Sequence, residues 1–272
     1  MKSLKNNAFV YNPFIILWYN IRKQYEAGYF FMIYEEYVKA SLEDYGRNGR
    51  LEERSILRVL EDISSYHSDS LGYGARNIEK TNLAWLLLEW RVQIHIPMRY
   101  GESYRVTTWS RGVCSFCTTL RDFEIFDEEG NLCVSASSKW TPVNSVDKKI
   151  IRVTDELLDI YGTENKTAFE DGELLRQKEP KVYSYEMPYH IDRKEIDLNG
   201  HLHNLCYLDV ALETIPEDLY HARDFRNIRI TYRKEIKAEE KDIISRYGEE
   251  NGVHTIGIYG QDGKIRAIVS LS

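Results

Sequence analysis

Cysteine is scarce in this sequence: only Cys114, Cys117, Cys133 and Cys206 occur in 272 residues. A chain of this length that relied on disulfides would need a denser set, so we expect reduced thiols and a cytoplasmic protein. Cys114 and Cys117 form a C-x-x-C, but there is no second such pair, and the surrounding "GVCSFCTTLRDFEIF" is typical of a strand. These thiols are therefore predicted to pack within the fold, without zinc or redox chemistry.

The sequence also lacks a basic excess and a long uncharged apolar run. It has 36 Lys and Arg against 43 Asp and Glu, a formal charge of −7, which argues against nucleic-acid binding because a phosphate backbone needs a basic surface. The apolar segment "FVYNPFIILWYNIRKQYEAGYFF" is interrupted at Asn12 and Pro13 and falls short of the roughly 20 residues that a bilayer needs. It also lacks a signal-peptide cleavage pattern. We expect no membrane span and interpret residues 1–31 as an N-terminal extension upstream of the folded part.

What the sequence does contain is one pattern that occurs twice. In residues 32–145 an alternating stretch precedes a helical stretch, "NGRLEERSILRVLEDISSYHSDSL", and four further strand-like stretches. Residues 181–272 repeat this order, with the helix predicted in "NGHLHNLCYLDVALETI" and a strand in "FRNIRITYRKEI". Residues 146–180 are rich in charge and are predicted to be a linker with one short helix in "DELLDIYG". The chain is thus predicted to be a tandem repeat of one unit.

The repeated βαββββ unit predicts an α+β fold. A long, largely apolar helix must be buried, and an antiparallel sheet that curls round it buries it. This is the hot-dog arrangement, and two units in one chain can complete each other as a double hot-dog fold. The first unit has Arg50 where the second has His201, so only the second keeps a group that can move a proton near neutral pH. We therefore expect the second unit to be catalytic.

Several stretches carry a resemblance to a known family. "DLNGHLHNLCYLDVALE" resembles the D-x-N-x-H-x-N-N-x-x-Y signature of the plant and bacterial acyl-acyl carrier protein (acyl-ACP) thioesterases, and "ITYRKE" resembles their Y-R-[RK]-E strand. "KTNLAWLLLEWRVQI" and "LRDFEIFDEEGNLCVSASSKW" resemble the first half of the same family, so the resemblance covers about residues 32–272.

Two residues depart from the family pattern. His203 stands where the family usually has the first Asn of N-N, and Ile236 follows Glu235 where plant members have a cysteine. The second departure weakens a thiol-nucleophile mechanism, because the remaining Cys206 lies in an apolar helical stretch that suggests burial.

Carried over residue by residue, the resemblance implies a catalytic group of Asp197, Asn199, His201 and Glu235. Thioester hydrolysis needs an activated water, a donor for the oxyanion and a proton for the leaving thiolate. Glu235 is a candidate base for the water, and the Asn199 amide can donate together with free N–H groups where the helix begins. His201 can hold or pass a proton, while Asp197 can fix its tautomer or orient the water. Which carboxylate acts directly stays open.

The function that the resemblance implies is hydrolysis of acyl-ACP thioesters, which releases free fatty acid and ends chain elongation. It implies acyl carrier protein as partner and no cofactor or metal ion, and it leaves a homodimer open. A non-catalytic acyl-binding or regulatory protein, an acyl-CoA thioesterase and a hydratase are the alternatives. The Asn-Gly turn could also be structural alone. A metal site of His190, Asp192, His201 and His203 is a further alternative, although its spacing matches no common ligand pattern.

Two sets of residues are expected to bind the substrate. The acidic carrier is expected to dock on basic residues near Glu235, although strand alternation divides these between two faces: Arg223, Arg226, Arg229, Arg233 and Lys234. The acyl chain is expected to occupy an apolar channel in the first unit, lined by large side chains: Trp85, Leu87, Trp90, Trp109, Phe116 and Phe123.

Overall fold

The first unit has the predicted order of strand, helix and four strands in a computed structural model, which describes residues 33–172, 174 and 176–272. Its elements are β1 Ile33–Val38, α1 Glu53–Ser70, the single-turn α2 Ile78–Thr81, β2 Leu83–Ile94, β3 Tyr104–Ser115, β4 Thr118–Phe126 and β5 Leu132–Asn144. The predicted turn "DEEGN" joins β4 to β5, with Gly130 at a φ of 85° that favours glycine. The expectation for residues 1–31 lies outside the described residues.

The second unit repeats this order after the predicted linker helix. Its elements, with that helix, are α3 Asp155–Tyr161, β6 Tyr185–His190, α4 Cys206–Thr214, α5 Glu217–Ala222, β7 Asn227–Tyr232, β8 Asp242–Glu250, β9 Val253–Tyr259 and β10 Ile265–Leu271. Two predicted boundaries are wrong: α4 begins at Cys206 and not near residue 199, and β7 ends at Tyr232, so Glu235 follows the strand. None of the helices in the described part of the chain is long and apolar enough to span a membrane.

The ten strands in the described residues belong to one antiparallel sheet in the order β1-β3-β4-β5-β2-β7-β10-β9-β8-β6. The strand order of the first unit therefore recurs, reversed, in the second. The two units join where β2 pairs with β7, and Trp90 faces Ile230 across this junction. The duplicated sequence thus produces two sheets that continue into each other.

The core lies between this sheet and the two main helices. Residues of α1 such as Leu57 and Leu60, and residues of α4 such as Leu208 and Val210, are essentially inaccessible to solvent and belong to one apolar cluster that spans both units. Each such side chain stabilises the fold by about 1.5–3 kcal/mol relative to an exposed one. The shared cluster explains why the two units hold together.

The C-x-x-C stretch differs from the prediction. Cys114 and Ser115 end β3, and Phe116 and Cys117 form the turn to β4, because Ser115 pairs with Thr118. Cys114 is exposed, and its Sγ lies 3.0 Å from Oγ1 of Thr118. The expectation that both thiols pack inside the fold is therefore wrong for Cys114.

The turn that precedes each main helix is built twice with nearly the same hydrogen bonds. Gly49 and Gly200, at φ of 71° and 79°, each donate an N–H to the carbonyl oxygen three residues earlier, at 2.9 Å and 3.1 Å. That earlier residue is Gly46 in the first turn and Asp197 in the second. Of the two turns, only the second has a carboxylate at this position.

Candidate active site

Asp197 organises the turn of the second unit. Its Oδ1 accepts hydrogen bonds from the backbone N–H of Asn199 at 2.8 Å and of His201 at 3.0 Å, and its Oδ2 accepts one from Nδ2 of Asn199 at 3.3 Å. The carboxylate thus bonds the backbone of His201 and not its ring, which differs from the expected control of the imidazole tautomer. The hydrogen bond from Asn199 Nδ2 to Asp197 Oδ2 fixes the orientation of the Asn199 side-chain amide.

His201 and Glu235, far apart in the sequence, lie side by side. His201 Nε2 is 3.4 Å from Glu235 Oε1, and the two side chains are 25% and 46% exposed. A β-bridge between His201 and Lys237 and a 2.8 Å hydrogen bond from Leu202 N to Ile236 O join the two segments. The structure therefore brings together His201 and Glu235, two of the four residues that the resemblance implies.

The predicted helix contribution to this group is wrong. Because α4 begins at Cys206, its first N–H groups follow His201 by five residues and are not part of the turn. Cys206 itself is buried, as expected, and burial, followed by the nearby Asp209 and Glu195 carboxylates, raises the pKa of its thiol to about 12. A thiol that stays protonated is a poor nucleophile, which argues against a nucleophilic role for Cys206.

A cavity of about 370 Å³ reaches this turn. Asp197 and Asn199 line one end, and the cavity follows α1 towards Arg121, Trp85 and Tyr161. His201 and Glu235 are not part of its lining. The turn therefore presents two faces, one towards the cavity and one towards the His201–Glu235 pair.

Most of the predicted channel residues lie elsewhere. Trp85 lines the cavity, whereas Leu87 and the fully buried Trp90, Trp109 and Phe123 are not part of its lining. Phe116 is 70% exposed at the turn between β3 and β4. The prediction was wrong for these residues because alternation along a strand shows which side chains point inward, not where the helices leave space.

Three residues to which the sequence gave no part in the catalytic group line the cavity beside Asp197: Glu61, His203 and Asn204. Asn204 Nδ2 donates a hydrogen bond to Glu61 Oε1 at 3.3 Å. Burial raises the pKa of Glu61, while the nearby His203 and the Asn204 hydrogen bond oppose that shift. The one signal available in the sequence was the departure from the family pattern at His203.

The far end of the cavity carries a buried positive charge. Arg121 Nη1 donates to His67 Nδ1 at 2.8 Å and to Thr108 Oγ1 at 3.1 Å, and the guanidinium lies over the Tyr161 ring. Burial lowers the pKa of Arg121 to about 10 and that of His67 to about 2. At neutral pH the arginine is therefore charged and the histidine neutral. No carboxylate of the described residues forms an ion pair with Arg121.

Two sequence models of one family match this chain. Residues 32–161 match the acyl-ACP thioesterase N-terminal domain, and residues 178–266 match the acyl-ACP thioesterase C-terminal domain. The chain belongs to the acyl-ACP thioesterase family. Its double hot-dog fold agrees with that of a 12:0-ACP thioesterase from Umbellularia californica, with a TM-score of 0.77 and 16% identity over 90% of this chain and 98% of the other. An acyl-ACP thioesterase from Bacteroides thetaiotaomicron gives a TM-score of 0.75 and 18% identity over 88% and 97%.

Curated relatives are similar over most of this chain. The oleoyl-acyl carrier protein thioesterase 1 of Arabidopsis thaliana is 25% identical over 84% of this chain and 68% of its own length. The oleoyl-acyl carrier protein thioesterase of Coriandrum sativum is 21% identical over 76% of this chain, which spans 60% of that relative. Both are described as chloroplastic.

In this acyl-ACP thioesterase family member, much of the predicted basic cluster is neutralised internally. Three of its arginines lie near carboxylates: Arg223 Nη2 is 2.7 Å from Glu52, Arg226 Nη2 is 2.9 Å from Asp224 and Arg229 Nη2 is 3.8 Å from Glu89. Arg233 and Lys234 are exposed beside Glu235. The cluster that can meet a partner is therefore reduced to these two residues.

The alternative metal site is not assembled. His190 lies at the end of β6, where its Nδ1 is 2.7 Å from an Asp242 carboxylate oxygen. Within residues 33–172, 174 and 176–272, no group of three or more His, Cys, Asp or Glu side chains is arranged to hold a metal ion.

Proposed function

We propose that the protein hydrolyses the thioester of an acyl chain carried by acyl carrier protein and releases a free fatty acid, which ends chain elongation. The observation that carries this proposal is the cavity, which starts at Asp197 and Asn199 and continues between apolar side chains such as Leu83 and Leu157. Its 370 Å³ falls within the roughly 300–1,000 Å³ of small-molecule sites. The plant relatives are acyl carrier protein thioesterases, which supports the same substrate class.

In this proposal Asp197, Asn199, His201 and Glu235 form the catalytic group. The Asn199 amide, held by the Asp197 carboxylate, donates to the carbonyl oxygen as negative charge develops there. The His201–Glu235 pair exchanges protons with the reacting groups on the more exposed face of the turn. These roles need neither a metal ion nor a cofactor.

In this proposal the two units have different roles. Residues 32–145 bind the acyl chain, since most of the cavity lining belongs to them, and residues 181–272 carry the catalytic turn. Residues 146–180 connect the units, and α3 of this segment contributes Leu157, Leu158 and Tyr161 to the cavity. The acyl chain would therefore be enclosed while the thioester sulfur faces the carrier.

The proposal is tested with the purified full chain and a series of acyl-ACP and acyl-CoA thioesters. We expect equal amounts of free thiol and free fatty acid, with faster turnover of the carrier-linked series. Binding of the acyl carrier without release of thiol would indicate an acyl-binding protein instead. Water addition to an enoyl thioester with the thioester intact would indicate a hydratase. Faster turnover of the acyl-CoA series would indicate that the carrier is not the partner.

A further inference from the structure

A carboxylate of the first unit lies at the catalytic end of the cavity. Glu61 of α1 and the turn residues Asp197, Asn199 and His203 line the same end, whereas Glu235 is absent from the lining. An acyl carbonyl next to the Asn199 amide would therefore be within the same enclosed space as Glu61. The sequence pattern alone indicates no catalytic role for the first unit.

The neighbours of Glu61 suit a group that handles protons. Its Oε1 accepts a hydrogen bond from Asn204 Nδ2 at 3.3 Å, which fixes the carboxylate at the cavity wall. His203 Nδ1 lies 3.3 Å from the backbone N of Leu205 and accepts its hydrogen. In a neutral imidazole the proton must then be on Nε2, so this nitrogen can donate to a water or a carboxylate.

We infer that Glu61 and His203 form the acid–base pair that activates the hydrolytic water, so that each unit supplies part of the reaction centre. This inference rests on the proposed hydrolase function and adds two catalytic residues to it. Glu61 faces the cavity, and Glu235 is 46% exposed outside the lining. The pair with Glu61 therefore acts on the water, and the pair with Glu235 acts on the sulfur.

Glu61 accepts a proton from water while the water oxygen bonds to the carbonyl carbon, and the carbonyl π electrons move to the oxygen that faces Asn199. When the carbonyl re-forms, the C–S bond breaks and the thiolate takes a proton from His201. His201 regains a proton from solvent, and Glu61 releases its own to solvent, while the Nε2–H of His203 favours the ionised carboxylate. The net products are the fatty acid and the carrier thiol.

Single-residue variants of the full chain test this inference: Glu61→Gln, His203→Asn and, as a matched control, Asp62→Asn. Asp62 is the next carboxylate on α1, but it lies 3.9 Å from Arg58 and is not part of the cavity lining. Glu61→Gln should lower kcat by about a hundredfold and remove the acid limb of the pH–rate profile. Asp62→Asn should keep kcat within about threefold of the unaltered protein.

The direction of the pH shift separates chemistry from structure. The charged or titratable groups that face Glu61 are Asp62 on its own helix, Asp197 and His203 from the turn, and Tyr232 from β7. His203→Asn removes the electrostatic contribution of His203 that lowers the pKa of Glu61, so the acid limb should move to higher pH. Asp62→Asn removes an anion, so the limb should move to lower pH.

Two results would overturn the inference alone: full hydrolysis with an unchanged acid limb in Glu61→Gln, or an unmoved limb in His203→Asn. If Glu61→Gln melts at a much lower temperature than the unaltered protein, its loss of turnover could come from unfolding. The shift of the acid limb in His203→Asn then decides whether the inference holds. Absence of hydrolysis by the unaltered protein on every thioester would overturn the proposed function and this inference with it.

Discussion

The His201–Glu235 pair should matter far more for turnover than for stability. The two side chains are 3.4 Å apart and 25% and 46% exposed, and ion pairs in such settings contribute only about 0.2–1 kcal/mol to stability. Removal of an acid–base group lowers turnover by about 10²–10⁴-fold. We therefore expect His201→Ala and Glu235→Gln each to lower kcat by at least about a hundredfold, or about 2.7 kcal/mol in the barrier. The melting temperature should fall by no more than about 2–4 °C.

A double-mutant cycle shows whether the pair acts as a unit. Release of free thiol from saturating acyl-ACP is measured for both single variants and the double variant. If the two residues move the same proton, the double variant should be no slower than the slower single variant. If they act independently, the losses should multiply to about ten-thousandfold.

Arg50→Ala is the matched control, because Arg50 occupies the position of His201 in the turn of the first unit. Its Nη1 lies 2.5 Å from Asp224 Oδ1 in an exposed ion pair, and it does not line the cavity. Turnover should be nearly unchanged in this variant. Near-normal turnover in both His201→Ala and Glu235→Gln, or an equal loss in Arg50→Ala, would refute the assignment.

Three further predictions concern other parts of the molecule. Arg121→Met replaces the charge at the far end of the cavity by an apolar side chain. Each added methylene of the acyl chain should then contribute about 0.8 kcal/mol, so kcat/KM for longer chains should rise relative to shorter ones by about fourfold per methylene. An unchanged ranking of chain lengths would contradict this prediction. Burial lowers the pKa of His67 to about 2 in the fold, so only the unfolded chain protonates it below its ordinary value of 6.5. Stability in urea unfolding should therefore fall with pH below that value, by up to about 1.4 kcal/mol per pH unit, and His67→Gln should flatten the slope. Charge reversal of Arg233 and Lys234 should raise KM for acyl-ACP and weaken its salt dependence, while acyl-CoA kinetics change little.

The order of elements could be predicted because the spacing of apolar side chains is a local property. The ends of the elements could not, since distant contacts decide them. "NGHL" before α4 was assigned to the helix, but bridges from Ile196 to Leu202 and from His201 to Lys237 hold this stretch as a paired turn. Gly200 then takes a φ of 79°, which a helix cannot contain.

The candidate site could be predicted only as far as its residues are contiguous in the sequence or belong to the family pattern. Asp197, Asn199 and His201 fall within five positions, and Glu235 follows from the same resemblance. Glu61 could not be identified in this way. Its position on α1 shows only that it lies off the most buried face of the helix, and its proximity to the turn arises from the packing of one unit on the other.

The same packing explains why the surroundings of the two turns differ. Each unit presents a turn to its neighbour, so the duplicated fold creates two related places between the units. Around the first turn and the start of α1 the units are linked by close ion pairs: Arg50–Asp224 at 2.5 Å, Arg54–Asp209 at 2.7 Å and Arg223–Glu52 at 2.7 Å. At the second turn the space remains open and forms the cavity that Glu61 lines. The first turn, which has Gly46 and Arg50 where the second has Asp197 and His201, thus serves as a contact between the units, while Glu61 of α1 in the first unit faces the cavity at the second turn.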